Sequence, residues 1–234
     1  HSAREAMRVS LESVTGSATH QIVAGPEGVD ERLYTQLRTE TGLRQAAPIV
    51  QGGVVRADDT RRSLTLLGVD AFAEGGFQRP LGGADDLGDA FNALMLRDDA
   101  VVVGRAEAER LAVESGDSLE LLVDGERRRV TVVSVVDDPD DQARGLLLTD
   151  IAAAQQLLGQ TGRLDRIDLI MDDAQAEALG NDLGDGVRIV PAAASAQSVL
   201  QMSQAFHINL TALSLLAVVV GAFLVFNTLS FLGV

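Results

Sequence analysis

The sequence predicts an α+β chain, a two-lobed water-exposed domain followed by a transmembrane helix, and three observations predict it. Residues 210–234, LTALSLLAVVVGAFLVFNTLSFLGV, carry no charge in a chain whose formal net charge is -15. Two strand, helix, strand patterns, one early and one late, flank the middle of the chain. Between them lies an Asp-Gly hairpin signal.

The elements follow in order. Ala3, Met7, Leu11 and Val14 fall on one stripe, which predicts an amphipathic helix over 2–14. Residues 20–24 suit a short strand, Gly25-Pro26 a turn, and 30–41 a helix with Leu33 and Leu37 inward and Gly42 as its stop. Strands are predicted over 47–56 and 63–69. The Gly-rich, acidic GGFQRPLGGADDLGD that follows has the composition of an exposed loop. A helix is expected over 105–115, stopped by Gly116. Strands at 118–123 and 127–136 then join across Asp124-Gly125, a dipeptide that accepts positive φ. The acidic DDPDD ends the hairpin, and Asp150 caps the helix IAAAQQLL, which Gly159 stops. In 166–171, Ile167, Leu169 and Met171 alternate against Asp168; Asp172 caps a short helix to Leu179, and a strand at 187–190 closes at Pro191. No breaker follows Ala192, so the chain is expected to run as a helix into the apolar segment.

The simplest arrangement joins 19–72 and 165–192 into one small α/β lobe, interrupted by an inserted lobe at 73–164. Residues 1–18 lead in, and 193–234 lead out. At a rise of about 1.5 Å per residue the apolar run is about 37 Å long, more than the roughly 30 Å hydrocarbon core of a bilayer. A charge at its centre would cost about 2.5 to 3.5 kcal/mol, and the last charged residue is Arg188. The chain opens at His1 without a signal-type segment and stops inside the apolar run, so truncation is expected at both ends.

Composition excludes several function classes. All 19 cations are Arg, against 34 Asp and Glu, so a nucleic-acid backbone would meet net repulsion. Without Cys there is no thiolate nucleophile, disulfide or Cys-based zinc site. His1, His20 and His207 have no metal-ligand spacing, and His20 is expected to be structural. The carboxylate pairs Asp58-Asp59, Asp85-Asp86, Asp98-Asp99, Asp137-Asp138 and Asp140-Asp141 do not follow the order of a calcium loop and read as solvated loops. No nucleophile elbow and no phosphate-binding loop occurs, and a chain without Lys has no Walker lysine. No catalytic residue, metal or cofactor is assigned. Arg127, Arg128 and Arg129 read as a solvated strand face, with lipid or partner contact the lesser reading. In the apolar run, Ala217 and Gly221 form a small-xxx-small pair for close helix packing, and Ser214, Asn227, Thr228 and Ser230 offer interhelical hydrogen bonds. The packing candidates are therefore Ala217, Gly221, Asn227 and Ser230.

Four segments, HSAREAMRVSLESVTGSATHQIVAG, GDSLELLVDGERRRVTVVSVV, TDIAAAQQLLGQTGRLDRIDLI and NLTALSLLAVVVGAFLVFNTLSF, resemble in that order an FtsX-like, MacB-type permease, the membrane subunit of a type VII ABC transporter. The resemblance covers nearly the whole chain. It implies a first transmembrane helix before His1, continued as a stalk through 1–18, and an extracytoplasmic region up to about residue 205 in the bacterial inner membrane. Within that region it implies a porter-like lobe at 19–72 and 165–192 and a sabre-like insert at 73–164, then a stalk and second transmembrane helix at 193–234. The implied partners are a separate ABC ATPase subunit that contacts regions outside this chain, a second permease subunit, membrane lipid, and a periplasmic partner or substrate. The implied mechanism is mechanotransmission, with ATP hydrolysis left to the partner and no enzyme activity in the chain itself. The rival reading is a membrane-anchored extracytoplasmic sensing or scaffold domain without transport.

Overall fold

One long strand, β3 (Ala46–Arg56), organises the molecule. The computed structural model describes residues 18–70, 73, 90, 92–138, 143–184 and 186–192. The helix expected over 2–14, the Gly-rich stretch at 75–89 and the apolar run at 210–234 lie outside the described residues. Among the described residues no helix is long and apolar enough to cross a membrane.

On one edge the first half of β3 pairs antiparallel with β10 (Arg166–Leu169), which pairs with β1 (His20–Val23), which pairs with β11 (Arg188–Pro191). These strands form an open wing. On the other edge β3 pairs with β4 (Ser63–Val69) from Ile49↔Val69 to Val55↔Ser63. Pro48 precedes that ladder by one residue, so its missing N–H breaks no pair there. From β4 the sheet continues through β8 (Leu146–Asp150), β5 (Ala100–Gly104), β7 (Glu126–Val136) and β6 (Ser118–Val123). It then closes on itself, because Val55 and Arg56 of β3 pair with Leu122 and Leu121 of β6. Six strands thus form a hydrogen-bonded ring. It draws β3 and β4 from 19–72 and β5 to β8 from 73–164. A separate two-stranded ladder joins β2 (Val29–Asp30) to β9 (Arg163–Leu164).

Each half has its own core. Val54, Leu64, Leu66, Val101, Leu121, Val132 and Leu147, contributed by all six ring strands, meet in one buried cluster inside the ring. Burying each such side chain is worth about 1.5 to 3 kcal/mol. The wing buries Ile22, Val50, Ile167 and Leu169 of one face against Leu37 of α1 (Glu31–Thr39) and Ala154 of α3 (Ile151–Leu157). Asp30 and Asp150 cap these two helices, accepting from Arg32 N and Ala152 N at 2.9 Å each. Asp172 and Gln175 form a capping box at the start of α4 (Asp173–Asp182).

One helix and two strands differ from expectation. Helix α2 (Arg105–Leu111) stops four residues before the expected end, at Ala112 with φ 53. Leu111 is its last buried side chain, and Arg56 and Arg62 donate to the carbonyls of Leu111 and Arg110, closing the helix from outside. Gly116, at φ 100, serves the turn into β6 instead. Strands β5 and β8 carry no period-two signal, since AVVVG is buried at every position and LLLTD at all but its last.

Candidate functional site

The wing has a second face, opposite the helices, and it carries a buried polar row beside apolar Ala47 and Ile49. Strand β10 alternates Arg166 and Asp168 against Ile167 and Leu169, and antiparallel register sets Gln21 of β1 directly opposite Asp168. Gln51 of β3 completes the row. Arg166 Nε donates to Asp168 Oδ1 at 2.9 Å, and Arg166 Nη1 donates to Gln51 Oε1 at 2.9 Å. The backbone N–H of Gln51 donates to Asp165 Oδ2 at 2.6 Å, so a side chain replaces the next rung of the ladder. The Asp168 side chain is 1% exposed and that of Arg166 10%.

Burial decides the electrostatics. It pushes the carboxyl of Asp168 above the usual carboxylate range, while Arg166 and Gln21 favour the charged form. Asp165 is shifted the same way by burial, against the Gln51 N–H and Arg166. Arg166 Nη2 and Asp168 Oδ2 are buried without a hydrogen-bond partner, at a cost of about 1 to 3 kcal/mol for such a group. What the row supplies is register: a one-residue slip of β10 would drive Arg166 and Asp168 into the apolar face. It presents no nucleophile. Among the described residues no three His, Asp or Glu converge as a metal site.

The residues singled out from the sequence are placed as follows. Ala217, Gly221, Asn227 and Ser230 lie outside the described residues, as do His1, His207 and the pairs Asp85-Asp86 and Asp140-Asp141. His20 is buried in β1 with its ring held between Thr19 Oγ1 at 3.0 Å and Asp173 Oδ1 at 3.3 Å. Four residues of the acidic pairs meet arginines, three of them nearby in the chain and Asp137 across to the start of α2. Asp58 meets Arg56 at 2.6 Å, Asp59 meets Arg61 at 3.2 Å and Arg62 at 3.1 Å, Asp99 meets Arg97 at 2.9 Å, and Asp137 meets Arg105 at 2.5 Å. The hydrogen bond from Arg61 lowers the pKa of Asp59, and those from Arg97 and Thr131 lower that of Asp99. Arg127, Arg128 and Arg129 are exposed on β7 and pair with Glu120 and Glu126. The buried row was not anticipated. An Arg and an Asp two apart in a predicted strand share one face, and that spacing is the signal that could have found it.

No protein-family profile matches the chain. A curated relative, an uncharacterized ABC transporter permease protein of Mycobacterium tuberculosis, is 36% identical over 99% of this chain, which spans 27% of that protein's length. Among solved structures, the chain is similar to the extracellular domain of the ABC-type transporter YknZ from Gram-positive bacteria, with TM-score 0.48 and 13% identity over 74% of this chain and 99% of that one. It is also similar to the periplasmic region of MacB from Actinobacillus actinomycetemcomitans, with TM-score 0.48 and 14% identity over 83% and 95% respectively. The resemblance to ABC transporter permeases read from four sequence segments therefore holds along the whole chain.

Proposed function

From that relationship to an ABC transporter permease, we propose that this chain is the extracytoplasmic part of a permease subunit, with the second transmembrane helix at its end. The observation that carries the reading is 36% identity sustained over 99% of the chain. In this reading residues 19–72 and 165–192 are porter-like and the insert at 73–164 sabre-like, and both stand outside the inner membrane up to about residue 205. A second permease copy and a separate ATPase complete the assembly, lipid surrounds the apolar run, and a periplasmic partner or substrate engages the exposed lobes. The chain performs no chemistry. ATP hydrolysis by the partner moves the apolar run, and the extracytoplasmic domain changes shape in response. Ala217, Gly221, Asn227 and Ser230 are the helix contacts assigned to that step.

The test is the full-length protein, reconstituted in nanodiscs with a candidate ABC ATPase subunit from the same organism. Gly221→Leu, which fills the close-approach position, is expected to change ATP turnover by roughly tenfold, since helix-contact lesions alter coupling by about 1 to 2 kcal/mol. Turnover untouched by Ala217→Leu and Gly221→Leu together would sink the coupling role. A protein that binds no ATPase at all would favour the sensing or scaffold reading.

A further inference from the structure

Strand β3 belongs to both the wing and the ring, and between its two memberships one of its edges carries no ladder. On the edge that β10 and β6 share, the β10 ladder ends at Ile49 and the β6 ladder begins at Val55. Over 50–54, among the described residues, β4 is the only strand laddered to it. Gly52 and Gly53 sit in the middle of this gap, and they differ. A Cβ on Gly52 would meet Leu158 Cδ2 at 2.5 Å, so a side chain there would make Leu158 shift. Gly53 has nothing within 4 Å of its Cβ position, and its φ lies outside the left-handed region. Neither space nor backbone conformation requires glycine at 53, and glycine inside a regular element costs about 0.5 to 1 kcal/mol relative to alanine. What it supplies is backbone freedom with no side chain to lock the pleat. The residues on either side are fixed. Gln51 is held from the wing by Asp165 and Arg166, and Val54 is buried in the ring interior.

We propose that Gly53 is a joint built into β3, at which the wing twists relative to the ring between the Gln51 clamp and the Val55–Leu122 pair. Because β4 stays paired with β3 across the gap, the motion is a twist of the shared strands and breaks no ladder. This inference stands on the fold alone and needs no ATPase, so it can fail while the transport reading holds, and the reverse.

The experiment is pulsed electron spin resonance on the full-length protein in nanodiscs, with nitroxides at Glu177 on α4 and Arg128 on β7, and a control pair at Glu109 and Arg128 within the ring half. The wing-to-ring distance distribution is expected to be broader than the control. Gly53→Val should narrow it roughly twofold, because a β-branched residue confines an extended strand, with a melting temperature at or above that of the parent. Should Gly53→Val fail to fold, Gly53→Ala carries the same readout with a smaller narrowing. A wing-to-ring distribution as narrow as the control, or one whose width neither substitution changes, overturns the proposal.

Discussion

At the scale of single residues, the buried row on β10 shows how one short strand holds two chemistries. Ile167 and Leu169 feed the apolar core, while on the other face Arg166 ties Asp168 and Gln51 together. The alternation was legible in the sequence. What was not legible is that both faces are covered: an Asp alternating with apolar residues reads as facing water, and only tertiary burial turns it inward. The acidic pairs show the reverse. They read as solvated loops, and the structure adds that Asp58, Asp59, Asp99 and Asp137 each pair with an arginine. The row also predicts a pH dependence. Asp165 has a folded pKa raised by burial above its ordinary value of 3.8, so over the range between the two the folded state binds more protons than the unfolded chain. Its contribution to stability is then greatest below pH 3.8 and falls as pH rises through the folded value. Asp165→Asn keeps an acceptor for the Gln51 N–H and removes the titration. Stability of the parent relative to this variant, measured by urea unfolding, is therefore expected to decline as the pH is raised from 3 to 7.

At the scale of elements, local chemistry that needs no partner was read correctly, and chemistry supplied from elsewhere was not. The hairpin of β6 and β7 turns at Asp124 with φ 49 and Gly125 with φ 85, the primed geometry that the dipeptide predicts. Gly125→Val should cost about 1 to 2 kcal/mol, because a β-branched residue resists positive φ, whereas Asp124→Asn should change the melting temperature little. Helix α2 is the counterexample. Its sequence allows four more residues, but arginines from β3 and the following loop take its last carbonyls and end it at Leu111. Strands β5 and β8 were missed for a related cause: a strand buried on both faces has no polar side to mark its period.

At the scale of the whole molecule, the expectation is an α/β lobe interrupted by an inserted lobe, and the strand order weaves β3 and β4 from 19–72 together with β5 to β8 from 73–164. The wing strands β10, β1 and β11 follow the first half of β3, while its second half closes the ring against β6, with β4, β8, β5 and β7 completing the circuit. That closure depends on the pairing of Val55 and Arg56 with β6, a contact between residues far apart in the chain, and no local pattern announces it.

Closing six strands into a ring also removes most of the places where a foreign strand could add on. Among the described residues, β11 is left as the outer margin of the wing, and its last residue is Pro191. Ala192 N points inward to Thr19 O, so the nitrogen of Pro191, one residue earlier, faces outward and has no proton to offer. A docking β-strand would find its first rung missing there. Pro191→Val restores that donor, and concentrated protein carrying it is expected to self-associate in light scattering where the parent stays dispersed.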